Sequence, residues 1–209
     1  MFFVNINNFK KIEISIIMAM VLTLAISVTG FAASCEGIKH SVLRMHIIAN
    51  SDEDYDQELK LKVRDAVLKQ GGDAFDGASD VAQAQQKIEN AQDELLKVAQ
   101  EVIAQEGYDY DVKIELGQEY FGTRTYDNIT LPAGQYQAVR VIIGEGAGKN
   151  WWCVMFPPLC LPGATQQEEI DAVLTQGESN LVKGDPEIDA RFKIVEIYEK
   201  FMDTIKSKK

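Results

Sequence analysis

Histidine, cysteine and basic residues are scarce in this chain of 209 residues, and each scarcity excludes a class of function. Two histidines are few for a zinc site, and no group of Cys, His, Asp and Glu has the spacing of metal ligands. The 21 basic residues are outnumbered by 32 acidic ones, which gives a formal net charge of −11. Nucleic acid or an anionic membrane surface would repel this excess of carboxylates. The sequence therefore predicts no metal, no cofactor and no nucleic-acid partner.

Long apolar runs are also missing after the N-terminus. Residues 14–33 form the one uncharged apolar run of membrane-spanning length, which follows Lys10 and Lys11 and ends in small residues. This order is typical of a secretory signal, and about 20 residues also suffice for an uncleaved anchor through residues 12–33. Cys35 leaves lipidation as a third alternative. We predict a signal peptide or N-terminal membrane anchor over residues 1–34 and a single exported domain over residues 35–209.

Export changes how the close cysteine pair is interpreted. Outside the cytoplasm, Cys153 and Cys160 are expected to form a disulfide, and Pro157 and Pro158 between them favour the bend that it needs. Two buried thiols are the alternative. The competing functional hypothesis is a secreted thiol-dependent hydrolase that uses Cys153 with His40 or His46.

Hydrophobic periodicity predicts an α+β fold, with helices packed on a mostly antiparallel sheet of about five strands. The chain after the signal is predicted to contain, in order, a strand at 39–50, a helix from a capping box at Ser51 and Asp54 to Gly71 and Gly72, a helix from Ser79 or Asp80 to Gln105, strands at 110–121, 127–131, 136–143 and 150–156, a helix after a capping box at Thr165 and Glu168, a polar loop at 175–185 and a last helix from Asp185 and Pro186.

The second helix carries a narrow apolar seam with alternating spacings of three and four residues. Such a seam is typical of a coiled-coil dimer, but it also suits a helix laid across a sheet, which we favour because two seam positions are alanine. The seam residues are Val81, Ala84, Ile88, Ala91, Leu95, Val98 and Val102.

Two further features lie in residues 144–152. The glycines before Lys149 resemble a phosphate-binding loop, but Asn150 replaces the required Ser or Thr and a strand follows instead of a helix. We therefore expect a tight hairpin turn there. Trp151 and Trp152 are adjacent on a predicted strand, so they should point to opposite faces. One can enter the core, while the other must meet a helix, the membrane surface or a partner protein.

Three segments together resemble the stage II sporulation protein R family of endospore-forming bacteria. They are residues 43–51 (LRMHIIANS), 59–67 (LKLKVRDAV) and 139–160 (VRVIIGEGAGKNWWCVMFPPLC). The resemblance covers roughly residues 38–162 and is most specific from Trp151 to Cys160.

The resemblance implies an intercellular signal with no catalysis of its own. Members are made in the forespore and secreted across its membrane into the intermembrane space. There they are needed to activate a membrane-bound aspartic protease of the mother cell, of the stage II sporulation protein GA type. This protease processes the pro-form of the early mother-cell sigma factor (pro-sigma-E). From motif position and polar or aromatic character, we predict the partner-binding surface or its supports to be Arg44, His46, Asn50, Arg64, Asp65, Asn150, Trp151 and Trp152.

Overall fold

The computed structural model describes residues 6–75, 77–126, 128–160, 166–183 and 192. Its contacts divide the chain into two compact units, residues 1–36 and 37–209. The helices are α1 (Ile6–Ser41), α2 (Asp54–Ala74), α3 (Val81–Gln105), α4 (Gln166–Val173) and α5 (Gln176–Val182). The strands are β1 (Leu43–Ile48), β2 (Val112–Phe121), β3 (Arg124–Tyr126), β4 (Ile129–Leu131), β5 (Gly134–Ile143) and β6 (Asn150–Phe156).

The N-terminal apolar run is helical. In the part of the chain that the structure describes, one helix is long and apolar enough to cross a membrane, over Lys10–Ser41. Secretory signals and N-terminal membrane anchors both have this length and composition. Residues 39–41 complete this helix, and the strand predicted to begin at residue 39 begins instead at Leu43.

The larger unit is built on a four-stranded sheet of order β2-β5-β1-β6. The β2–β5 and β1–β6 pairs are antiparallel, whereas β1 and β5 are parallel. A separate two-stranded sheet pairs β3 with β4, two strands where the sequence predicted one. The α+β class is confirmed, because helices cover a sheet in which two of three pairings are antiparallel.

The glycine segment 144–148 is not the hairpin turn that its composition predicts. Strand β1 lies between β5 and β6, so the segment must cross the end of β1. The amides of Ala147 and Gly148 donate to the carbonyls of Asn50 and Ala49, at 3.1 and 2.9 Å. A Cβ on Gly148 would lie 2.1 Å from the carbonyl oxygen of Ser51. Gly148 is therefore required for close approach to another backbone, whereas Gly144 and Gly146, with φ angles of 57° and 63°, belong to a tight turn closed by the bond from the Gly146 amide to the Ile143 carbonyl.

Helices α2 and α3 cover one face of the sheet. Alternate residues of β1, Leu43, Met45 and Ile47, are buried beneath them. Helix α2 does not end at Gly71 and Gly72, because it continues to Ala74. A Cβ on Gly71 would lie 2.1 Å from Met155 Cε, so this glycine lets the helix pack closely on β6. The capping box predicted at its start is replaced by a bond from Ser51 Oγ to Asp56, at 2.6 Å.

Helix α3 lies across the sheet, as favoured over a coiled coil. Its predicted N-cap is confirmed, since the Asp80 side chain accepts from the amide of Gln83. Four predicted seam residues are buried, Val81, Ala84, Ile88 and Leu95, but the predicted Ala91, Val98 and Val102 are only half-buried, and the seam continues instead through Ala99 and Ile103. A straight helix of 3.6 residues per turn drifts away from a 3.5-residue seam, and a helix packed on a sheet has no partner helix to supercoil around.

The opposite face of the sheet packs on a second core cluster, to which β4, α4 and α5 contribute. Residues 175–185 were predicted to be a polar loop, but α5 begins here. Thr175 and Glu178 form a capping box, which the loop prediction overlooked. The capping box predicted at Thr165 and the last helix predicted from Asp185 fall outside the described residues, which resume only at the buried Phe192.

Candidate functional site

Six of the eight predicted site residues fall into two groups on the two faces of the β1–β6 pair. Successive side chains of a strand point to opposite faces, so Trp151 and Trp152 separate as expected. The helix-side group contains Arg64, Asp65 and Trp151, and the opposite group contains Arg44, His46 and Trp152. Asn50 and Asn150 lie at the end of the strands where the glycine segment crosses.

The helix-side group is a surface feature. Trp151 is 39% exposed, which is high for so large an apolar side chain. The Arg64 guanidinium carbon lies 4.5 Å from the centroid of its ring, a cation–π geometry. Arg64 Nε also donates to Asp65 Oδ1 at 2.8 Å. The three residues form a pre-positioned aromatic and charged patch, which is the usual composition of an interface anchor.

Positive charge collects beside this patch although the whole chain is acidic. Lys60 is buried, and its Nζ donates to the carbonyl of Lys149 at 2.9 Å. Burial lowers the pKa of Lys60, and the charges of Arg64 and Lys149 lower it further, against the opposing effect of Asp52. Arg64, Lys60 and Lys149 therefore lie close enough to act on one another electrostatically.

On the opposite face, His46 stacks on Trp152 with ring centroids 3.8 Å apart. His46 Nδ1 and Glu119 Oε1 are 2.8 Å apart, and the His46 side chain is only 5% exposed. The Arg124 guanidinium lies 5.5 Å from the Trp152 ring. Sequence reasoning missed Glu119 and Arg124, since 73 residues separate Glu119 from His46. The alternation of acidic and apolar residues in β2 was the one available signal.

Arg44 is fully buried in a cage of aromatic rings. Its guanidinium carbon lies 4.2 and 4.8 Å from the ring centroids of Phe121 and Tyr136, and Nη2 donates to the Tyr126 hydroxyl at 2.5 Å. Its Nε and Nη1 have no hydrogen-bond partner among the described residues. Arg44 therefore supports the β1–β6 pair from inside and does not reach a partner.

Asn50 is a structural junction. Its Nδ2 donates to Asp56 Oδ2 at 2.9 Å, and its Oδ1 accepts from the amide of Glu145 at 3.0 Å. Asp56 is buried. Burial of Tyr110 raises the pKa of its hydroxyl, and the charge of Asp56 raises it further. One side chain thus joins the start of α2 to the glycine segment beside β6.

Replacing Asn50 by alanine is expected to lower the free energy of unfolding by about 2 kcal/mol, since two hydrogen bonds are lost and the buried Asp56 carboxylate is left less satisfied. Urea unfolding of the full chain in detergent measures this. Asn150→Ala is the matched control, because its side chain is exposed and should change stability by less than about 0.5 kcal/mol. Equal losses in the two variants would contradict the junction role.

The positions of Cys153 and His46 do not support the thiol-dependent hydrolase. The disulfide expected from the sequence is present between Cys153 and Cys160, whose Cα atoms are 6.2 Å apart. A disulfide sulfur is not a thiolate and cannot attack a substrate carbonyl. In addition, Cys153 pairs with Met45 and is buried on the helix side, whereas His46 points to the opposite face. His40 belongs to α1.

The remaining polar clusters do not suggest a catalytic centre. A 210 Å³ cleft on β2 and β5 is lined by Glu115, Glu119 and Arg140. Arg140 pairs with Glu115, a hydrogen bond that raises the pKa of Arg140, while Glu119 is held by His46. Across the described ranges, no three His, Cys, Asp or Glu side chains are grouped as metal ligands.

Comparison with known proteins gives two matches. The family model for stage II sporulation protein R matches residues 39–166, which include all eight predicted site residues. A relative named stage II sporulation protein R, from Bacillus subtilis (strain 168), is 35% identical over 150 residues, which cover 69% of this chain and 67% of the relative. No solved structure matches.

Proposed function

We propose, because this chain belongs to the stage II sporulation protein R family, that it is a non-catalytic sporulation signal exported from the forespore. In this role it activates the membrane-bound aspartic protease of the mother cell that processes pro-sigma-E. The family match over residues 39–166 is the observation that carries the proposal.

Three features of the chain support this role. The N-terminal helix is apolar and long enough to cross a bilayer, as export or anchoring requires. The Cys153–Cys160 disulfide suits a compartment outside the cytoplasm. The exposed Trp151 belongs to the matched motif, and the Arg64 guanidinium lies over its ring. It can therefore serve as a binding anchor.

Activation of this kind needs only differential binding. A ligand shifts a protease toward its active conformation by the free energy with which it prefers that conformation. A tenfold preference corresponds to about 1.4 kcal/mol, which a single buried aromatic anchor can provide. No group on this chain would then touch the scissile bond.

Reconstitution tests the proposal directly. The full chain is incorporated with the protease in liposomes, and cleavage of pro-sigma-E is followed over time. Cleavage is expected only when both proteins are present. A protease whose catalytic aspartate is replaced by asparagine serves as the control, since cleavage that persists with it would mean that this chain is itself a protease. No cleavage with the active protease would contradict activation.

Trp151→Ala is expected to lower activation by about tenfold or more while leaving the fold intact, because the side chain is an exposed anchor and not a core residue. Tyr55→Ala is the matched control, because Tyr55 is another exposed aromatic, 50% exposed on α2. Titration of each variant into the liposome assay measures the effect. Equal losses from the two substitutions would indicate that Trp151 is no special contact.

A further inference from the structure

The outer edge of β6 has no strand beside it in the part of the chain that the structure describes. Strand β6 pairs with β1 alone and ends the sheet. Folded proteins usually protect such edges with charged side chains, short strands or prolines. The other edge strand follows this rule, since Lys113, Glu115 and Glu119 are distributed along β2. Strand β6 instead begins with Asn150, Trp151 and Trp152.

The hydrogen bonds identify which backbone groups face outward. The amide of Val154 donates to Cys160 Sγ at 3.3 Å, so it points away from β1. In an antiparallel strand the outward direction recurs at every second residue. The backbone groups of Trp152 and Asn150 therefore also point outward. Among the described residues, neither amide donates to any group beyond the sheet.

The open stretch is bounded at both ends. At one end, the strand begins at Asn150, since the preceding Lys149 is held by other groups: its carbonyl accepts from Lys60 Nζ at 2.9 Å and its amide donates to Asp52 Oδ1 at 2.6 Å. At the other end, the disulfide sulfur of Cys160 occupies the Val154 amide. Between these ends, the outward groups of Asn150 and Trp152 are left unoccupied by the described residues, over a length that suits a short added strand.

The charges beside this stretch indicate what kind of strand fits. Arg64 lies over the Trp151 ring, Lys149 precedes the stretch and Lys60 is close to both; these three cations outnumber the neighbouring Asp52 and Asp65 carboxylates, within a chain of net charge −11. A second copy of the chain would bring the same cations together across the new pairing and would add a second net negative charge. An extended segment with acidic side chains would instead complement Arg64 and Lys149 on one face and pack against Trp151.

We infer that the edge of β6 at residues 150–152 binds an extended acidic segment of the partner protein by β-strand addition. This inference rests on the proposed function, because it takes the partner to be the protease. Main-chain hydrogen bonds would provide affinity, while Trp151 and the flanking cations would provide specificity.

Asn150→Pro tests the edge. Proline removes the outward amide and its ring blocks a neighbouring strand, yet proline is tolerated where the amide faces solvent. Asn150→Ala keeps the amide and is the matched control. In nanodiscs, the full-length proline variant is expected to bind the protease at least about tenfold more weakly than the alanine variant, and this difference isolates the contribution of the backbone amide.

A second pair of variants keeps the test valid should the proline variant fail to fold. Lys149→Glu reverses a charge beside the edge without altering the backbone, and Lys113→Glu makes the same change on β2 at the far edge of the sheet. Only the first is expected to weaken binding, by about tenfold, with the difference shrinking as salt concentration rises.

Binding and pro-sigma-E cleavage, measured together, separate the two proposals. Strand addition at the β6 edge is supported if Asn150→Pro and Lys149→Glu lose binding to the protease. This holds whether or not the parent chain also promotes cleavage. Binding by the parent chain without cleavage overturns the proposed function alone. Binding and cleavage that are unchanged in these variants overturn the edge alone, as does a photo-cross-linker at position 150 that captures only a second copy. No binding by the parent chain overturns both.

Discussion

Replacing Arg44 by alanine is expected to lower the free energy of unfolding by about 3–5 kcal/mol, the range for truncating a large buried side chain. The side chain is fully buried, and its guanidinium is flanked by the rings of Phe121 and Tyr136. Truncation empties this space, removes the cation–π contacts and leaves the Tyr126 hydroxyl without its donor. Guanidinium unfolding of the full chain in detergent, followed by tryptophan fluorescence, measures the loss.

Arg44→Met separates packing from charge. Methionine is unbranched and fills much of the same space, and it removes a buried cation whose Nε and Nη1 have no hydrogen-bond partner in the described structure. Replacing buried ionic groups by apolar ones of similar volume is often neutral or stabilising. We therefore expect Arg44→Met to cost less than about 1 kcal/mol and to preserve activation. A loss as large as that of alanine would show that the cation itself is required.

Local patterns in the sequence predicted most of the elements correctly. The seven-residue strand 150–156 and the helix with its cap at Asp80 were both recognised, because alternation and capping are properties of neighbouring residues. The insertion of β1 between β5 and β6 was not recognised. Glycine composition alone does not distinguish a hairpin from a crossover, since both need close backbone approach.

The candidate site was also predictable only in part, because local sequence patterns do not show which distant segments the fold brings together. Motif residues such as Arg64 and Trp151 were selected from one segment each, and the fold brings them into contact. Arg44 and His46 were predicted to form the partner-binding surface or its supports, and their burial places them among the supports. Their partners Glu119 and Tyr126 lie more than 70 residues away in sequence, and only the pairing of β2 with β5 places Glu119 there.

Removing the disulfide by Cys153→Ala with Cys160→Ala is expected to lower the free energy of unfolding by about 2.5 kcal/mol. This value follows from the chain entropy of a closed loop of about eight residues. Loss of packing at the fully buried Cys153 adds to it, whereas Cys160 is half-buried and adds less. Unfolding of oxidised parent chain and double variant, compared at one temperature, measures the difference.

Comparing the single variant Cys160→Ala with the double variant tests the mechanism as well as the stability. It releases Cys153 as a thiol, which the double variant lacks. If the disulfide only fixes the end of the β6 edge, both variants lose similar stability and retain similar activation of the protease at low temperature. Higher activity in Cys160→Ala than in the double variant would instead require thiol chemistry at Cys153. The burial of this sulfur on the helix side, away from His46, argues against that outcome.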